Sequence, residues 1–565
     1  MPRMRMPLHR PPRGAMADTP APRGGIGRAS ALLASGTLVS RGLGFVNQAV
    51  LVWVIGVQNP AANAFSLANT LPTNIYALIA GGLTSAVIVP AIVRATKHDD
   101  GGQAFVSRLL TLAVTALLGI TVLVTAAAPL LISLYASGAD GRALGASGMS
   151  LAVVFAYWCL PQVFFYALYA VLGEVLNARG VFGPFTWAPV ANNVIMISTL
   201  VVFANLWGVD PAHENPADWA PEQIALLGGG ATLGIVVQAL VLVAFWRRTG
   251  LRFRPDFHWR GVGLGATGRA AGWTFGMIVI TQLTILVQTN VASLAGEGDA
   301  SIAVLNVAWL LFMLPHSILA ISVATPFFTR MSAHAHAGEL DSFRDDLSSS
   351  LRTILLLVVG GGAAVGAAAM PLAAFFDSNP ASVVGISSVL IAYLVGLVPF
   401  SAMFVLQRGF FALGDTRTPF FIQLAQGATA IGALGAVALL VAPGHPALVG
   451  VAVAACTSIA SLVQVIVLAV VLGRRIGGLD GRRVLTRLGL FLAAAVVAMA
   501  AGVGVLALLG GFAGGFAVAD RVSAFVSLVL VGGTVLVVYA LALLLVRVPE
   551  ARTGLAPLRR ILGRR

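Results

Sequence analysis

The residue best suited to ionic chemistry is Arg41, which stands inside the apolar stretch SGTLVSRGLGFVNQ, residues 35–48. A guanidinium binds a phosphate through two parallel hydrogen bonds. Arg41 follows Arg28 by 13 residues, roughly 20 Å along a helix at ~1.5 Å per residue. At that depth in a bilayer an arginine costs roughly 2.5 kcal/mol or more without a partner. The sequence predicts that Arg41 faces a polar cavity that takes an anionic headgroup, or that it snorkels to the surface from a tilted helix.

Amide side chains accompany this arginine in two corresponding parts of the chain. The first two apolar segments contain Asn47, Asn63, Asn69 and Asn74, and the seventh and eighth contain Gln282, Gln288, Asn290 and Asn306. Amides commonly join membrane helices by hydrogen bonds, which explains any one of them. Their grouping in corresponding segments favours a shared polar cavity for substrate.

Prolines and short polar turns mark places where helices break. Pro72 and Pro315 each follow a leucine inside an apolar segment. Each removes a backbone hydrogen bond, which suits a hinge that lines a cavity or an ordinary packing kink. Two Arg/Gly turns, at 173–185 and 407–420, are predicted to be cytoplasmic hairpins, and their polar residues are Glu174, Arg179, Arg408, Asp415 and Arg417.

No arrangement of residues indicates catalysis. The sequence has no evident nucleophile triad or Walker motif, and His334 and His336 have no convincing third metal ligand. We therefore expect no enzyme, no catalytic residue, no metal site and no cofactor. A coupling ion such as sodium remains compatible with the sequence, but no site for it can be mapped.

The elements that position these residues are predicted to be membrane helices. The chain has 565 residues, of which 58% are hydrophobic and 10% charged, whereas soluble domains carry about 25% charged residues. This composition predicts an all-α polytopic membrane protein. About fourteen spans are predicted, at 30–57, 62–93, 105–135, 149–173, 184–206, 224–246, 270–295, 302–329, 351–376, 383–407, 418–441, 447–472, 488–511 and 522–546.

The net charge of +14 is a topology signal, and nucleic acid is not an expected partner. Lys and Arg fall in alternate connections, and the other connections hold only Arg142 and Arg521. By the positive-inside rule both termini are cytoplasmic in a multi-pass protein. Contact of the basic segments with anionic membrane lipids is a secondary expectation.

An internal repeat divides the chain. Leu-Pro pairs, Pro-x-x-x-Arg span ends and the two hairpins recur in the same order, each six spans apart. Two similar bundles around a midplane site are typical of transporters. The predicted limits are a disordered basic cytoplasmic arm at 1–29, an N-lobe at 30–246, a basic cytoplasmic linker at 247–269, a C-lobe at 270–472, two appended spans at 473–546 and a basic cytoplasmic tail at 547–565.

Five stretches, in order along the chain, carry a family resemblance: SGTLVSRGLGFVNQAVLVWVIG, NAFSLANTLPTNIYALIAGGLTSAVIVP, GEVLNARGVFGPFTWAPVANNVI, NVAWLLFMLPHSILAISVATPFFTRMS and LQRGFFALGDTRTPFF. With them the chain resembles the murein lipid II flippase family (MurJ, also called MviN) of the multidrug/oligosaccharidyl-lipid/polysaccharide exporter superfamily. The resemblance implies fourteen helices in two lobes, V-shaped around a central cationic cavity.

The resemblance also implies a function. It is translocation of lipid II, the undecaprenyl-pyrophosphate-linked cell-wall precursor, from the inner to the outer leaflet of the bacterial cytoplasmic membrane by alternating access. Proteins of cell-wall synthesis or division are implied as possible partners. Arg41 matches the family's arginine in the first span.

Several charged positions of the family are uncharged here. Asn47, Asn63, Tyr76, Leu310 and Met313 occupy them. Recognition of the pyrophosphate is therefore weaker or differently placed. Two alternatives follow: an exporter of another lipid-linked glycan, and a transport-inactive homologue that acts as an assembly partner.

Overall fold

The computed structural model describes residues 23–83, 102–136, 142–179, 181, 183–258, 268–512 and 514–550. Across these ranges the chain is almost entirely helical and contains no β-strand. The predicted arm 1–29 and tail 547–565 lie largely outside the described residues, as does the second half of the predicted linker.

The described part of the N-terminal bundle has eight helices: α1 (Arg23–Ile55), α2 (Pro60–Leu83), α3 (Gln103–Ala126), α4 (Ala128–Ala136), α5 (Gly145–Cys159), α6 (Gln162–Ala178), α7 (Gly183–Trp207) and α8 (Pro221–Ala244). They pack mainly on one another, with α7 against α1 and α8, and α2 against α5 and α6. Several are halves of one span, since α3 continues into α4 and α5 into α6.

Nine helices form the C-terminal bundle: α9 (Gly268–Ala292), α10 (Ile302–Pro315), α11 (Ile321–Ala337), α12 (Leu340–Ala367), α13 (Ala369–Phe376), α14 (Pro380–Val395), α15 (Leu397–Ala412), α16 (Arg417–Ala436) and α17 (Val449–Ile476). A π-helical turn, His316–Ala320, joins α10 to α11, and a second one, Val437–Val441, ends α16. The pairings α9 with α16 and α17 with α15 and α16 hold this bundle together.

Three helices follow among the residues described up to Glu550: α18 (Gly481–Leu508), α19 (Phe516–Ala519) and α20 (Arg521–Leu545). We refer to α18 and α20 as the terminal pair. They pack on each other and on α12. Beyond α20, Glu550 lies 2.5 Å from Arg352 of α12 and 3.8 Å from Arg487 of α18, with a side chain that is 10% exposed. This buried ionic contact fixes the terminal pair to the C-terminal bundle.

Twelve helical segments among the described residues are long and apolar enough to cross a membrane. The pair α14 and α15, bent by 44°, makes a thirteenth. The predicted second span, 62–93, is described only as far as Leu83, so the count of fourteen stays a prediction. The all-helical polytopic fold itself is confirmed.

Some helices begin earlier than the apolar pattern indicates. Helix α1 begins at Arg23, where the predicted span begins at residue 30, and α12 begins at Leu340, where the prediction begins at 351. The first turns of α12 are amphipathic, because Phe343 and Leu347 are buried while Asp341 and Asp345 are exposed. Hydropathy detects the part of a helix that crosses lipid and misses a polar extension of the same helix.

Charge distinguishes the two ends of the molecule. The acidic end contains the connections 56–59, 208–220, 377–379, 509–512 and 514–520, with Asp210, Glu214, Asp218, Asp377 and Asp520. The basic end contains 245–258 and the turns 413–416 and 477–480, whose flanking helix ends carry Arg408, Arg417, Arg474, Arg475, Arg482 and Arg483. At the basic end, residues 250–258 of the predicted linker pack on α3, where Arg108 Nε lies 2.7 Å from Asp256 Oδ2. The Arg108 and His258 hydrogen bonds hold the pKa of Asp256 well below its usual range.

The two bundles meet toward the acidic end. Helix α2 packs on α9 and α10, α4 packs on α9, and α1 packs on α13. Ring clusters stiffen both sides of this junction. In the N-terminal bundle Phe155 meets Phe65 at 5.2 Å and Trp219 at 5.4 Å between ring centroids. In the C-terminal bundle Trp309 and Tyr393 lie 5.4 Å apart. Such edge-on aromatic pairs add stability beyond the burial of the rings.

Candidate functional site

Arg41 lies on the face of α1 that is turned toward the C-terminal bundle. Phe45 follows it by one helical turn, so the two side chains share a face of the helix. Phe45 stacks on Phe375 with ring centroids 5.6 Å apart and meets Phe376 edge-on at 5.0 Å. Both of these rings belong to α13. Arg41, whose side chain is exposed, therefore lies on the side of α1 that faces the C-terminal bundle, one turn nearer to the basic end than this contact. We refer to the exposed region around Arg41, on this side of α1, as the gap.

His316 lies within electrostatic range of Arg41, on the opposite bundle. Its ring is only 3% exposed and packs against Phe400 at 4.8 Å and Phe404 at 5.4 Å between centroids. Its Nδ1 lies 3.0 Å from Ser401 Oγ. His316 is the first residue of the π-helical turn after Pro315, and such turns occur frequently at functional sites.

No hydrogen bond or ion pair engages Arg41 among the residues that the structure describes. Its charge is thus available to a ligand in the gap. Sequence reasoning identified Arg41 but missed His316, since a lone histidine after a Leu-Pro pair has no pattern of its own.

Arg408 provides a second cation on the C-terminal bundle. Its guanidinium lies 4.9 Å from the centroid of Phe404 and 5.0 Å from that of Phe328. Phe404 also contacts His316, so Arg408, Phe404 and His316 form a continuous row along α15 and the π-helical turn. No carboxylate pairs with Arg408 in the described part of the chain. A guanidinium held by rings keeps its donors available to an anion.

Three of the predicted site amides join the bundles. Asn63 Oδ1 accepts a hydrogen bond from Ala303 N at 3.0 Å, and its Nδ2 donates to Ala143 O at 3.3 Å. Asn306 Nδ2 donates to Thr70 Oγ1 at 3.4 Å. Asn290 Nδ2 donates to Leu134 O at 3.1 Å. In this conformation these side chains serve as contacts between helices at the junction.

Three further amides bond within one bundle. Asn69 Oδ1 accepts from the buried Gln162 at 3.3 Å, and Asn74 is hydrogen-bonded to Tyr135. In the C-terminal bundle Gln288 Nε2 donates to Tyr393 Oη at 3.1 Å. These bonds orient the inner helices of each bundle.

Asn47 and Gln282 differ from the other predicted amides. The side-chain oxygen of each is buried and has no hydrogen-bond partner among the described residues. Buried amide oxygens normally have a donor, because an unsatisfied one costs free energy. Asn47 on α1 and Gln282 on α9 are therefore the two predicted site amides whose buried acceptors have no donor among the described residues.

The two predicted hinge prolines have different surroundings. Pro72 lies inside α2, which continues through it from Pro60 to Leu83. Pro315 ends α10 and is followed directly by the π-helical turn that positions His316. The paired Leu-Pro motifs thus produce a local break only in the C-terminal bundle.

The predicted hairpins lie at the basic end. Glu174 lies within electrostatic range of Tyr76, the ring of which stacks on Tyr166 at 5.7 Å. Arg179 is the C-cap residue that follows α6. In the second hairpin Asp415 accepts from Thr418 Oγ1 at 2.6 Å and pairs with Arg475.

Burial tends to raise the pKa of Asp415, but the hydrogen bonds from Thr418 and the Arg475 charge outweigh it and lower that pKa below its usual value. Arg417 stacks over Trp273 at 5.9 Å. These contacts close the connection between α15 and α16 and hold it against its neighbours.

Comparison with known proteins gives a consistent match. The model of the family "Lipid II flippase MurJ" matches residues 54–545. The probable lipid II flippase MurJ of Haemophilus influenzae is 28% identical over 412 residues, covering 68% of this chain and 75% of that protein. The lipid II flippase MurJ of Burkholderia cenocepacia is 26% identical over 432 residues, covering 74% of this chain and 80% of that protein.

Solved structures support the fold. A lipid II flippase MurJ in an inward closed conformation superimposes with a TM-score of 0.67 at 18% identity, covering 90% of this chain and 98% of that one. An inward-facing multidrug resistance MATE family transporter of the MOP superfamily gives 0.59 at 17% identity, covering 78% and 96%. At these identities the likeness shows the fold alone.

Proposed function

Since this chain belongs to the lipid II flippase MurJ family, we propose that it translocates lipid II across the bacterial cytoplasmic membrane, from the inner to the outer leaflet, for cell-wall synthesis. The observation that carries this proposal is the family match over residues 54–545, which includes the C-terminal bundle, the terminal pair and the N-terminal bundle from α2 onward. Arg41 lies on α1, ahead of the matched residues, so its role rests on its position in the structure. The two alternatives, another lipid-linked glycan and an inactive assembly partner, are not favoured by this match.

The placement of the contacts between bundles supports alternating access. The bundles are joined toward the acidic end by Asn63, Asn290 and Asn306, while Arg41 faces an open gap. The distribution of Lys and Arg places the basic end and both termini in the cytoplasm. In that orientation this conformation admits a headgroup from the inner leaflet. Parting of the acidic end, with closure of the basic end, then releases it outside.

Arg41 is the group that we assign to the pyrophosphate. It is a free cation beside His316 and faces the gap, and a guanidinium forms paired, charge-assisted hydrogen bonds to phosphate. Asn47 and Gln282 have buried, unpaired acceptors in this conformation, and a movement of the bundles that exposes them would offer acceptors to the hydroxyl and amide donors of a sugar-peptide headgroup. Arg408 gives the headgroup a second cation near the basic end.

The lipid tail needs no binding site within the protein. A gap between two bundles that opens to the side lets the polyprenyl chain stay in the bilayer while the headgroup crosses. The predicted lobes, 30–246 and 270–472, are the bodies that we propose to move, with 247–269 as their link. Among the described residues no group of three or more His, Cys, Asp or Glu side chains is arranged to hold a metal ion, and we assign no ion site.

The test is lipid II exposure at the outer face of cells depleted of this protein and rescued with variants. Wild type is expected to restore exposure. Arg41→Ala is expected to lower the flipping rate at least about tenfold, because hydrogen bonds to charged groups contribute roughly 1.5–3 kcal/mol. The amount of protein in the membrane fraction checks insertion.

Arg248→Ala is the matched control. Arg248 is exposed at the basic end and stacks on its own neighbour Phe245 at 4.6 Å, so this variant should rescue fully. If Arg41→Lys and Arg41→Ala both rescue, Arg41 only snorkels and loses its assigned role. If depletion leaves lipid II exposure unchanged, the flippase function itself is rejected.

A further inference from the structure

A polar cavity of about 300 Å³ lies at the acidic end, where three parts of the fold meet. Its walls come from the end of α1, from the connection between α7 and α8, from the residues after α13 and from the start of α20. The charged groups that line it are Asp210, Asp377, Asp520 and Arg521. The proposed transport of lipid II makes no use of this cavity.

The N-terminal bundle contributes Asp210 and holds it rigidly. The backbone N–H of Asp210 donates to Val54 O at 2.9 Å, which ties the connection to the end of α1. Gly56, with φ of +75°, turns the chain directly beside it. A Cβ at Gly56 would lie 2.4 Å from Asp210 Oδ1, so only glycine leaves room for the carboxylate in this position.

The C-terminal bundle and the terminal pair contribute the opposite wall. Asp377 follows α13, is 8% exposed and accepts a hydrogen bond from Asn379 N at 3.0 Å. Arg521 begins α20, which packs on α13. The Arg521 guanidinium lies 5.4 Å from the ring centroid of Trp53 on α1, so it reaches across to the N-terminal bundle.

Two carboxylates of opposite bundles therefore come together with one arginine. Asp210 is in electrostatic contact with Asp377, and Asp377 with Arg521. When both carboxylates are charged they repel each other across the junction, whereas the contact between Arg521 and Trp53 attracts. The strength of the junction consequently depends on the charge of Asp210.

The structure gives Asp210 the setting of a group that titrates near neutral pH. Burial first, then the Asp377 and Glu214 carboxylates, raise the pKa of Asp210 to about 6. The other titratable or charged groups around it are Asp520 and Arg521 at the start of α20 and His213 in its own connection. Asp520 is held ionised, because the N–H groups of Ser523 and Val522 lower its pKa.

We propose that Asp210, Asp377 and Arg521 form a proton-dependent latch between the two bundles, closed when Asp210 is protonated and weakened when it is ionised. The latch is a conformational device separate from the headgroup site. Its meaning for transport rests on the proposed function, but its existence does not. In the orientation proposed above, it senses the pH outside the membrane.

The direction follows from proton linkage. Opening of the acidic end exposes Asp210 to water and returns its pKa toward the ordinary value, so the closed form binds more protons. The closed form is favoured at low pH and loses stability as the pH rises through about 6. With one group of pKa about 6, the ratio of closed to open molecules falls about tenfold between pH 5 and pH 7 and then levels off.

The experiment measures the distance between the bundles at the acidic end by pulsed electron resonance in lipid nanodiscs, without lipid II. Spin labels are placed at Ala217→Cys and Ala447→Cys, which are exposed on opposite bundles. The buried Cys159 and Cys456 are replaced by alanine. The fraction of molecules at the short distance is expected to fall from pH 5 to pH 7.

Variants separate the latch from general effects of pH. Asp210→Asn should keep the short distance at both pH values. Asp377→Asn removes the repelling charge, so the change between pH 5 and pH 7 should shrink. Glu297→Gln, an exposed carboxylate of the acidic end outside the cavity, should behave as wild type.

Distances that do not change with pH in the wild type overturn the proposal, as does a change of equal size in Asp210→Asn. A transport defect leaves this readout unaffected, so failure of the flippase assignment and failure of the latch are distinguishable.

Discussion

The side-chain oxygen of Asn63 accepts a hydrogen bond of 3.0 Å from the backbone N–H of Ala303, across a separation of 240 positions. Ala303 is the second residue of α10, where a backbone N–H has no partner within its own helix. The N-terminal bundle thus supplies the cap that the C-terminal bundle lacks. This hydrogen bond fixes the position of α2 relative to the start of α10, which the surrounding apolar contacts alone would not do.

Asn63→Leu should weaken this junction. The variant leaves the buried N–H of Ala303 without an acceptor, which costs roughly 1–3 kcal/mol. We expect a lower midpoint of thermal unfolding for the purified protein in detergent. Asn205→Leu is the control, because Asn205 is exposed and bonds only to Val201 O of its own helix. Equal midpoints for the two variants would show that the bond across the bundles contributes nothing.

Gly450→Ala should destabilise the C-terminal bundle. A Cβ at Gly450 would lie 2.4 Å from the backbone oxygen of Ala300, so α17 must move away from the connection after α9. Overpacking of this kind costs roughly 1–3 kcal/mol. Gly432→Ala on α16 meets nothing within 4 Å and should be neutral or stabilising by up to about 1 kcal/mol. The measurement is the midpoint of thermal unfolding of each variant relative to wild type. If Gly432→Ala lowers the midpoint as much as Gly450→Ala does, the contact with Ala300 is not the cause.

Glu550→Ala should be the most damaging of these changes. It leaves Arg352 buried without its carboxylate, and breaking a buried ion pair costs roughly 3–5 kcal/mol. The double variant Arg352→Met, Glu550→Leu should recover most of the loss. Asp341→Ala breaks an exposed pair with Arg344 and should cost less than about 1 kcal/mol. The measurement is a double-mutant cycle on the midpoint of thermal unfolding. If the double variant unfolds at no higher temperature than Glu550→Ala, the ion pair does not have the role assigned to it.

Asp415→Asn should destabilise the protein in a manner that depends on pH. The pKa of Asp415 is lowered in the folded protein, so its charge stabilises the fold above the ordinary carboxyl pKa of about 4. That contribution disappears as the pH falls below this value. The difference between the unfolding midpoints of wild type and variant should be larger at pH 7 than at about pH 3.5, where the loss of this contribution has begun. Asp345→Asn, at an exposed position of α12, should have the unfolding midpoint of wild type at both pH values. A difference between wild type and Asp415→Asn that is the same at both pH values would exclude the ionic contribution.

The sequence predicts the helical architecture well because long apolar segments have few alternatives in a membrane. Arg41 is found for the same reason, since a charge inside such a segment needs an explanation. The roles of Asn63, Asn290 and Asn306 are not predictable in this way. Periodicity places each amide on a helix face, but the partner across the junction depends on how two bundles approach each other.

Two further features depend on three-dimensional contact alone. His316 gains its significance from Arg41, which lies on a different bundle and far away in sequence. Asp210 and Asp377 stand in connections that read as ordinary polar loops. Only the packing of α1, α13 and α20 brings these two carboxylates to one cavity.

The ionic contact of Glu550 also has a consequence for the order in which the protein is made. Arg352 enters the membrane when the ribosome has yet to add the 198 positions that separate it from Glu550. Until then the arginines of α12 and α18 have no carboxylate between them. A nascent chain that stops short of this glutamate therefore carries two arginines without the carboxylate that joins them in the folded protein, so α12 and α18 gain this connection only after nearly all of the described chain has been made.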